Sequence, residues 1–247
     1  MSVLIALSTT SRADTPALTA TALAEAIADA RRPIEQVKQD AARRPDLVVA
    51  FAGVKPGDRI ADFMPGNAYF TRIFSDLVGP AGRVYAFVPD EQVANCPASE
   101  IAGTRAIARE PGYANVMVLT DSVANFRVPE KLDVLWTAQN YHDLHDAFMG
   151  PADIVALDRA FFNALKPGGV FLVIDHVAES GSGLRDTETL HRIDPAQLRK
   201  EIEAAGFVLE ATSEALRNSD DSHALRVFDP RIRGRTDQLV FRFRKPR

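Results

Sequence analysis

Cysteine is almost absent from this 247-residue chain. One thiol, Cys96, cannot close an internal disulfide and cannot build a cysteine-rich metal site. Long apolar runs are missing as well: none approaches the roughly 20 residues that a membrane-spanning helix needs. Clustered basic charge is equally scarce, with 29 Lys and Arg against 33 Asp and Glu and a net charge of −4. A surface that tracks phosphates needs such clusters, so nucleic acid is not expected as a partner. The one cationic stretch, Arg231 to Arg247, is interleaved with strand-like residues and reads as a solvated edge. Internal repeats and low-complexity linkers are also lacking.

What is present is ordinary globular composition, 46% hydrophobic and 25% charged, in a length that one core can fill. The start, Val3-Leu4-Ile5-Ala6-Leu7 followed by Ser11-Arg12-Ala13 and Asp14, has two open readings. It resembles the back half of a secretory signal, or it is a simple tail over residues 1–14. Cytoplasmic and periplasmic locations both stay open. Residues 15–50 carry apolar side chains at helical spacing (Leu18, Leu23, Ile27, Ile34, Val37) and are punctuated by Pro33 and Pro45. They predict one or two helices capping a single domain over 15–247.

From Lys55 onward the pattern alternates. Strands are predicted at Arg59–Met64, Gly82–Val88, Asn115–Thr120, Leu132–Ala138 and Val170–Ile174. Helices are predicted at Tyr69–Leu77, Ser99–Arg109, Ile154–Leu165 and Pro195–Ala205, the last closed by Gly206. Phe207–Glu210 and Leu239–Phe243 can form a closing antiparallel pair. Strands alternating with helices at this spacing predict an α/β fold: a doubly wound, mostly parallel sheet with an N-terminal helical extension. The Gly- and Ser-rich segment Glu179–Leu190 reads as a loop that could serve as a lid. Its Ser180-Gly-Ser-Gly183 run lacks the framing of a nucleophile elbow.

Four places carry a family resemblance. Val54-Lys-Pro-Gly-Asp-Arg-Ile-Ala-Asp62 resembles the entry into the first motif of class I S-adenosylmethionine-dependent methyltransferases. Leu165-Lys-Pro-Gly-Gly-Val170 and Glu203-Ala-Ala-Gly-Phe207 resemble the turns before that superfamily's fifth and sixth strands. Trp136-Thr-Ala-Gln-Asn-Tyr-His-Asp-Leu-His145, with Asp175-His176 and Leu190-His-Arg-Ile-Asp194, is similar to a bacterial group of predicted methyltransferases marked by a Gln-Asn-Tyr-His-Asp-Leu-His motif. The resemblance runs from about Lys55 to the C-terminus and implies the Rossmann-like methyltransferase fold.

It also implies S-adenosylmethionine as cofactor, with Asp62, Gly66, Asn67, Asp90, Asp121 and Asn140 around it. Two departures stand out. The superfamily's acid is followed by a Gly-x-Gly-x-Gly turn, because backbone passes close to the cofactor. Here Met64 and Ala68 occupy two of the three glycine positions. The second strand should end in an acid for the ribose; it ends in Val88, and Asp90 and Glu91 come late. Asp121 does match the position that contacts the adenine amine. Asn140 lacks the prolines of the Asn-Pro-Pro-Tyr turn found in methyltransferases acting on nitrogen.

Ligands of open parallel sheets bind beyond the carboxyl ends of the strands, and four of the five histidines fall there. Tyr141-His142-Asp143 and His145 follow the fourth strand, Asp175-His176 ends the fifth, and His191 lies past the lid-like loop. For His145 and His191 the ordinary reading, a surface or capping residue, is preferred. His142 and His176 each stand beside an acid, Asp143 or Asp175, that can orient an imidazole for proton transfer. His142, Asp143, His145, Asp146, Asp175 and His176 also offer nitrogen and oxygen ligands. Their spacing lacks a helix-borne His-Glu-x-x-His, and no metal site is assigned.

Three functions follow. The first is a small-molecule methyltransferase with His142 or His176 as base. The second is a cofactor-independent acid–base lyase or isomerase on a repurposed methyltransferase scaffold. The third is a binding protein without chemistry, to which clustered titratable groups are ill suited. A small molecule is the expected partner in each case, and the oligomeric state is not set by the sequence.

Overall fold

Four short helices lead into the sheet in the computed structural model, which describes residues 18–150 and 152–247. The signal-like start lies outside the described residues. The helices are α1 (Ala20–Ile27), α2 (Ile34–Val37), α3 (Asp40–Arg43) and α4 (Pro45–Ala52). Thr19 caps α1 by accepting the Ala22 amide at 3.1 Å. Pro33 precedes α2 and Pro45 opens α4, where a missing N–H costs nothing.

The alternating part follows as β1 (Arg59–Phe63), α5 (Tyr69–Val78), β2 (Arg83–Pro89), α6 (Asp90–Asn95), α7 (Ala102–Ile107), β3 (Val116–Asp121) and β4 (Leu132–Ala138). It continues as α8 (Ile154–Ala164), β5 (Leu165–His176), α9 (Thr187–Leu190), α10 (Pro195–Ala204), β6 (Val208–Thr212) and β7 (Gln238–Arg244). The seven strands lie in the order β3-β2-β1-β4-β5-β7-β6. β1 to β5 are parallel, and β7 runs antiparallel to both β5 and β6. This is the doubly wound, mostly parallel sheet with an N-terminal helical extension that the alternation predicts. The central strands are buried on both faces, which is why they read as almost unbroken apolar runs.

Alternate side chains of those strands feed two cores. Ile60, Val84, Trp136 and Leu172 pack under α1, α4 and α5 with Phe70 and Phe74. Phe63, Phe87, Leu135 and Phe171 pack under α8 and α10 with Phe161 and Phe243. In the second, the Phe63 ring meets Phe161 edge-on at 5.0 Å and stacks on Phe87 at 5.8 Å, geometries that aromatic quadrupoles favour.

Four expectations need correction. The one or two helices expected over residues 15–50 are four short ones, broken by the turns before Ile34, Asp40 and Pro45. The single helix over Ser99–Arg109 is instead a 3-10 turn at Ala98–Glu100 followed by α7, which ends at Ile107. Ile101, at φ −119, separates the two. Helix α6 was not expected, because Pro89 reads as a strand stop; it also serves as the residue before a first turn, and Pro97 repeats that role. The Glu179–Leu190 segment is no free lid. Asp194 Oδ2 accepts the Gly181 and Gly183 amides at 2.8 and 3.3 Å, and its last residues form α9 against the turn that carries His142.

Candidate functional site

The carboxyl ends of the parallel strands divide the predicted residues into four groups. The first lies at β1, β2 and β3. Asp62 is buried at the end of β1 and accepts the Thr71 hydroxyl at 2.6 Å. Burial pushes its carboxyl up to about 7, against the pull of Thr71 and Arg43. Met64, Gly66 and Ala68 all take left-handed φ, at 54, 57 and 65, so the turn keeps a glycine-like path with side chains on it. Met64 and Ala68 are buried, and Asn140 donates to the Met64 carbonyl at 2.8 Å.

The loop after β2 is fastened directly onto this turn. The Asn67 amide donates to Ser99 O and accepts from Gly103 N, each at 2.9 Å. The Thr104 hydroxyl donates to Gly66 O at 2.7 Å, and Gln36 of α2 donates to Asn67 O at 2.7 Å. A Cβ on Gly103 would sit 2.5 Å from Asn67 O, which shows how close the two backbones are. Val88 is buried, and Asp90 faces solvent at the start of α6. Asp121 is turned onto its own loop, accepting Ser122 N at 2.9 Å, Asn125 Nδ2 at 3.1 Å and Arg127 Nη2 at 3.1 Å. Glu91 is spent on Ser122 Oγ and Val123 N, at 2.7 and 2.9 Å. These residues do not fit an adenosyl group as the resemblance implies it: two of the three glycine positions carry side chains, Asp62, Glu91 and Asp121 are bonded within the protein, and Asp90 faces solvent.

The second group centres on His142. Its Nδ1 lies 2.7 Å from Asp175 Oδ1, its backbone N donates to Asp175 Oδ2 at 2.8 Å, and its Nε2 lies 3.1 Å from Asp143 Oδ1. Burial opposes charge on this ring, but Asp175 and Asp143 outweigh it and hold the pKa well above the usual value. Asp143 falls to about 2: burial raises it, and the imidazolium of His142 more than offsets that. His191 joins them, its Nδ1 3.6 Å from Asp143 Oδ1 and 3.9 Å from Asp146 Oδ2.

The third group is Tyr141 and His145, which turn the other way. The Tyr141 hydroxyl is fully buried and donates to Asp158 Oδ2 at 2.8 Å; Glu201 Oε2 lies 3.4 Å from it and 3.1 Å from His145 Nε2. This is an internal network between the end of β4 and helices α8 and α10.

The fourth group is His176, which opens onto a cavity of about 400 Å³. Gln139, Gln238 and Thr236 line it from the sheet, Arg43 from α3, and Phe228 and Arg233 from the long β6–β7 connection. Thr236 Oγ1 lies 2.8 Å from His176 Nδ1 and accepts from Gln238 Nε2 at 3.3 Å; Gln238 Oε1 accepts from Gln139 Nε2 at 3.0 Å. The Thr236 hydroxyl can pair with either tautomer of this ring, accepting from Nδ1–H or donating to a bare Nδ1. Nε2 has no partner among the described residues. Burial drives the pKa of this ring down to about 3, so it is a neutral imidazole at pH 7.

Two cations in the cavity wall were not singled out by the sequence. Arg43 stacks on Tyr69 at 4.7 Å, whose hydroxyl is held by Asp40 at 2.5 Å. Burial lowers the Arg43 pKa. Neither Arg43 nor Arg233 makes an ion pair with a carboxylate among the described residues, although most other arginines do. The Arg231–Arg247 stretch is more than a solvated edge, since its β7 segment lies between β5 and β6 with Leu239, Val240 and Phe243 buried. The remaining signal was weak: an arginine on an amphipathic helix and one in a basic stretch look alike whether paired or not.

No protein-family model matches the chain, and no curated protein sequence does either. Solved structures do resemble it. A SAM-dependent methyltransferase from Aquifex aeolicus superposes with TM-score 0.58 at 17% identity, over 87% of this chain and 98% of that one. A S-adenosylmethionine-dependent methyltransferase from Mesorhizobium loti gives 0.57 at 16%, over 83% and 99%. The cyclase SpnF gives 0.60 at 19%, over 92% of both. The chain has the fold of the class I methyltransferases. At such identities the likeness carries the fold and leaves the reaction to the site.

Proposed function

We propose that this chain is a cofactor-independent acid–base enzyme, a lyase or isomerase, acting on a small anionic molecule bound beside His176. The observation that carries this is the pair of guanidinium groups, Arg43 and Arg233, that line one cavity with no carboxylate partner among the described residues. Arg43 is half-buried and Arg233 is exposed at the cavity mouth; guanidinium groups without partners suit a carboxylate or phosphate, with which they make charge-assisted, often bidentate hydrogen bonds. An anion held there brings its neighbouring oxygen toward His176 Nε2–H, which donates to it. In the other tautomer, with Nδ1–H on Thr236, the bare Nε2 takes a proton from the substrate and the resulting imidazolium returns it to a neighbouring atom of the same molecule. Positioning by the two arginines supplies the larger share of the rate. That a protein named as a cyclase shares the fold is consistent with varied chemistry on it.

Calorimetric titration with a panel of small carboxylates and phosphates tests the reading. Binding of one class is expected, lost in Arg43→Ala combined with Arg233→Ala. His176→Ala should keep affinity for that class and lose turnover. Anion binding indifferent to both arginines would end this reading.

A methyltransferase reading draws on a different observation, the left-handed backbone at Met64, Gly66 and Ala68 that retains the glycine-turn path. Its test is titration with adenosylhomocysteine. No binding at millimolar ligand is expected. Micromolar binding, abolished by Asp62→Ala, would replace the first reading with this one.

A further inference from the structure

We propose that His142, Asp143, Asp146 and His191 form a site for one divalent first-row transition-metal ion, of which Zn²⁺ is the simplest probe. The site stands on other residues than the anion cavity, and its test reads bound metal and not turnover.

The fold brings together donors that the sequence leaves apart. The 3-10 turn His142–His145 supplies His142 and Asp143, Asp146 begins the next turn, and His191 arrives from the end of α9. One ligand atom from each of His142, Asp143 and His191 lies within 4.8 Å of the other two. Neighbouring donors are 3.1 Å (His142 Nε2 to Asp143 Oδ1), 3.6 Å (His191 Nδ1 to Asp143 Oδ1) and 3.9 Å (His191 Nδ1 to Asp146 Oδ2) apart. Donors about 2.1 Å from a tetrahedral zinc stand about 3.4 Å from one another, so small side-chain shifts close the shell.

Two further observations point to a cation. Asp146 is 2% exposed, and its Oδ1 has no hydrogen-bond partner among the described residues. A buried carboxylate oxygen left without a donor is costly, and a metal answers it. The second is the shell behind the donors. His142 turns Nδ1 to the fully buried Asp175, whose other oxygen grips the His142 backbone N. That leaves Nε2 facing Asp143 and His191, the arrangement in which a carboxylate fixes the tautomer of a metal-bound imidazole. Three carboxylates, Asp143, Asp146 and Asp175, thus surround the His142 ring.

Two imidazoles with two carboxylates suit zinc, ferrous iron or manganese. His191 holds left-handed backbone at φ 55, an uncommon conformation for a residue other than glycine that is worth attention at candidate sites. Arg226 now lies 2.9 Å from His191 Nε2. It is exposed and must swing outward when that nitrogen carries the proton.

The experiment uses the whole protein, stripped by chelator and dialysed. Zn²⁺ is titrated by calorimetry and Co²⁺ by visible absorption. One equivalent of Zn²⁺ in the micromolar range or tighter is expected, with Co²⁺ giving the intense bands of a four-coordinate site. Asp175→Asn should weaken binding about 10- to 100-fold; His191→Ala and Asp146→Asn should weaken it more. His223→Ala, whose ring lies on Asp237, should leave it intact. Absence of stoichiometric binding overturns the proposal, as does binding that survives both His191→Ala and Asp146→Asn. Should these variants not fold, the wild type still decides: saturable Zn²⁺ must raise its melting temperature by mass action, and failure to do so counts against the site.

Discussion

At the carboxyl ends of β1, β2 and β3 the polar groups mostly answer one another, whereas beyond β4 and β5 some, His176 Nε2 with Arg43 and Arg233, line a cavity with no carboxylate partner among the described residues. On the first side Asp62 holds Thr71, Asn67 bridges Ser99 and Gly103, and Asp121 holds Arg127. On the second side His176 keeps a free Nε2, and Arg43 and Arg233 line a cavity. The two sides share one sheet and one fold, yet only the second leaves hydrogen-bonding capacity over for a ligand. Polar groups that are already satisfied gain little from a ligand and lose their present bonds to it.

The largest test of this contrast removes what holds the open side in shape. Arg192 and Asp221 form a buried ion pair, at 0% and 1% side-chain exposure, joined at 2.9 Å. Arg192 also grips Leu225 O and Val177 O, both at 2.9 Å. The pair therefore pins the β6–β7 connection that supplies Phe228, Arg233 and Thr236 to the cavity. Asp221→Ala strands a buried guanidinium and should cost about 3–5 kcal/mol in denaturant unfolding, with anion binding lost below the midpoint. A loss under 1 kcal/mol would show that the wall stands without this pair.

The two sides should also differ in the sign of their pH dependence. Asp62 has a folded pKa of about 7, above its usual 3.8. Between those values the folded state holds a proton that the unfolded state has released, so stability falls as pH rises. His176 has a folded pKa of about 3, below its usual 6.5. Between those values the unfolded state holds the extra proton, so stability rises with pH and is lost on acidification. From about pH 4 to 6.5 the slopes oppose, each up to about 1.4 kcal/mol per pH unit. His176→Asn should therefore gain stability relative to wild type as pH falls, and Asp62→Asn should lose it, each by about 3 kcal/mol over two units. Parallel curves for wild type and both variants would contradict the assigned environments.

Closing contacts on the first side can be strained in turn. Gly103→Ala places a Cβ 2.5 Å from Asn67 O, and backbone must move. A loss of about 1–3 kcal/mol is expected. If the groove is only covered, this variant should also bind adenosylhomocysteine better than wild type. Unchanged absence of binding would show that Met64, Ala68 and Val88 block it by themselves.

Much of the fold was legible because the central strands are buried on both faces and leave continuous runs such as Val170–Ile174. The closing pair of β6 and β7 was legible for a similar reason, its strands being bounded by Gly206 and basic ends. Helix α6 was not, since Pro89 carries the same letter whether it ends a strand or precedes a helix. The candidate site was legible only in part. Sequence position gathered His142, Asp143 and Asp146, but the meeting of His191 with them depends on α9, a four-residue helix without a periodic signature. Separation within the motif was equally hidden. Tyr141 and His142 are neighbours in the chain, yet a 3-10 turn sends one to Asp158 and the other to Asp175. Whether an arginine is paired, as Arg192 is, or unpaired, as Arg43 is, is decided by contacts far along the chain.

The smallest effect belongs to the most exposed member of the first side. Arg127 is 82% exposed in its side chain and reaches Asp121 at 3.1 Å. Such pairs contribute little, because water screens the charges and two long side chains must be ordered. Arg127→Ala should leave the denaturant unfolding curve essentially unchanged. It also frees one oxygen of Asp121, the residue that the resemblance sets against adenine, while Ser122 N and Asn125 keep the other. If the acids of this side are merely occupied, the variant should begin to bind adenosylhomocysteine. If the backbone and side chains of the turn are the obstacle, its calorimetric trace should stay flat, and the contrast between the two sides then lies in packing more than in charge.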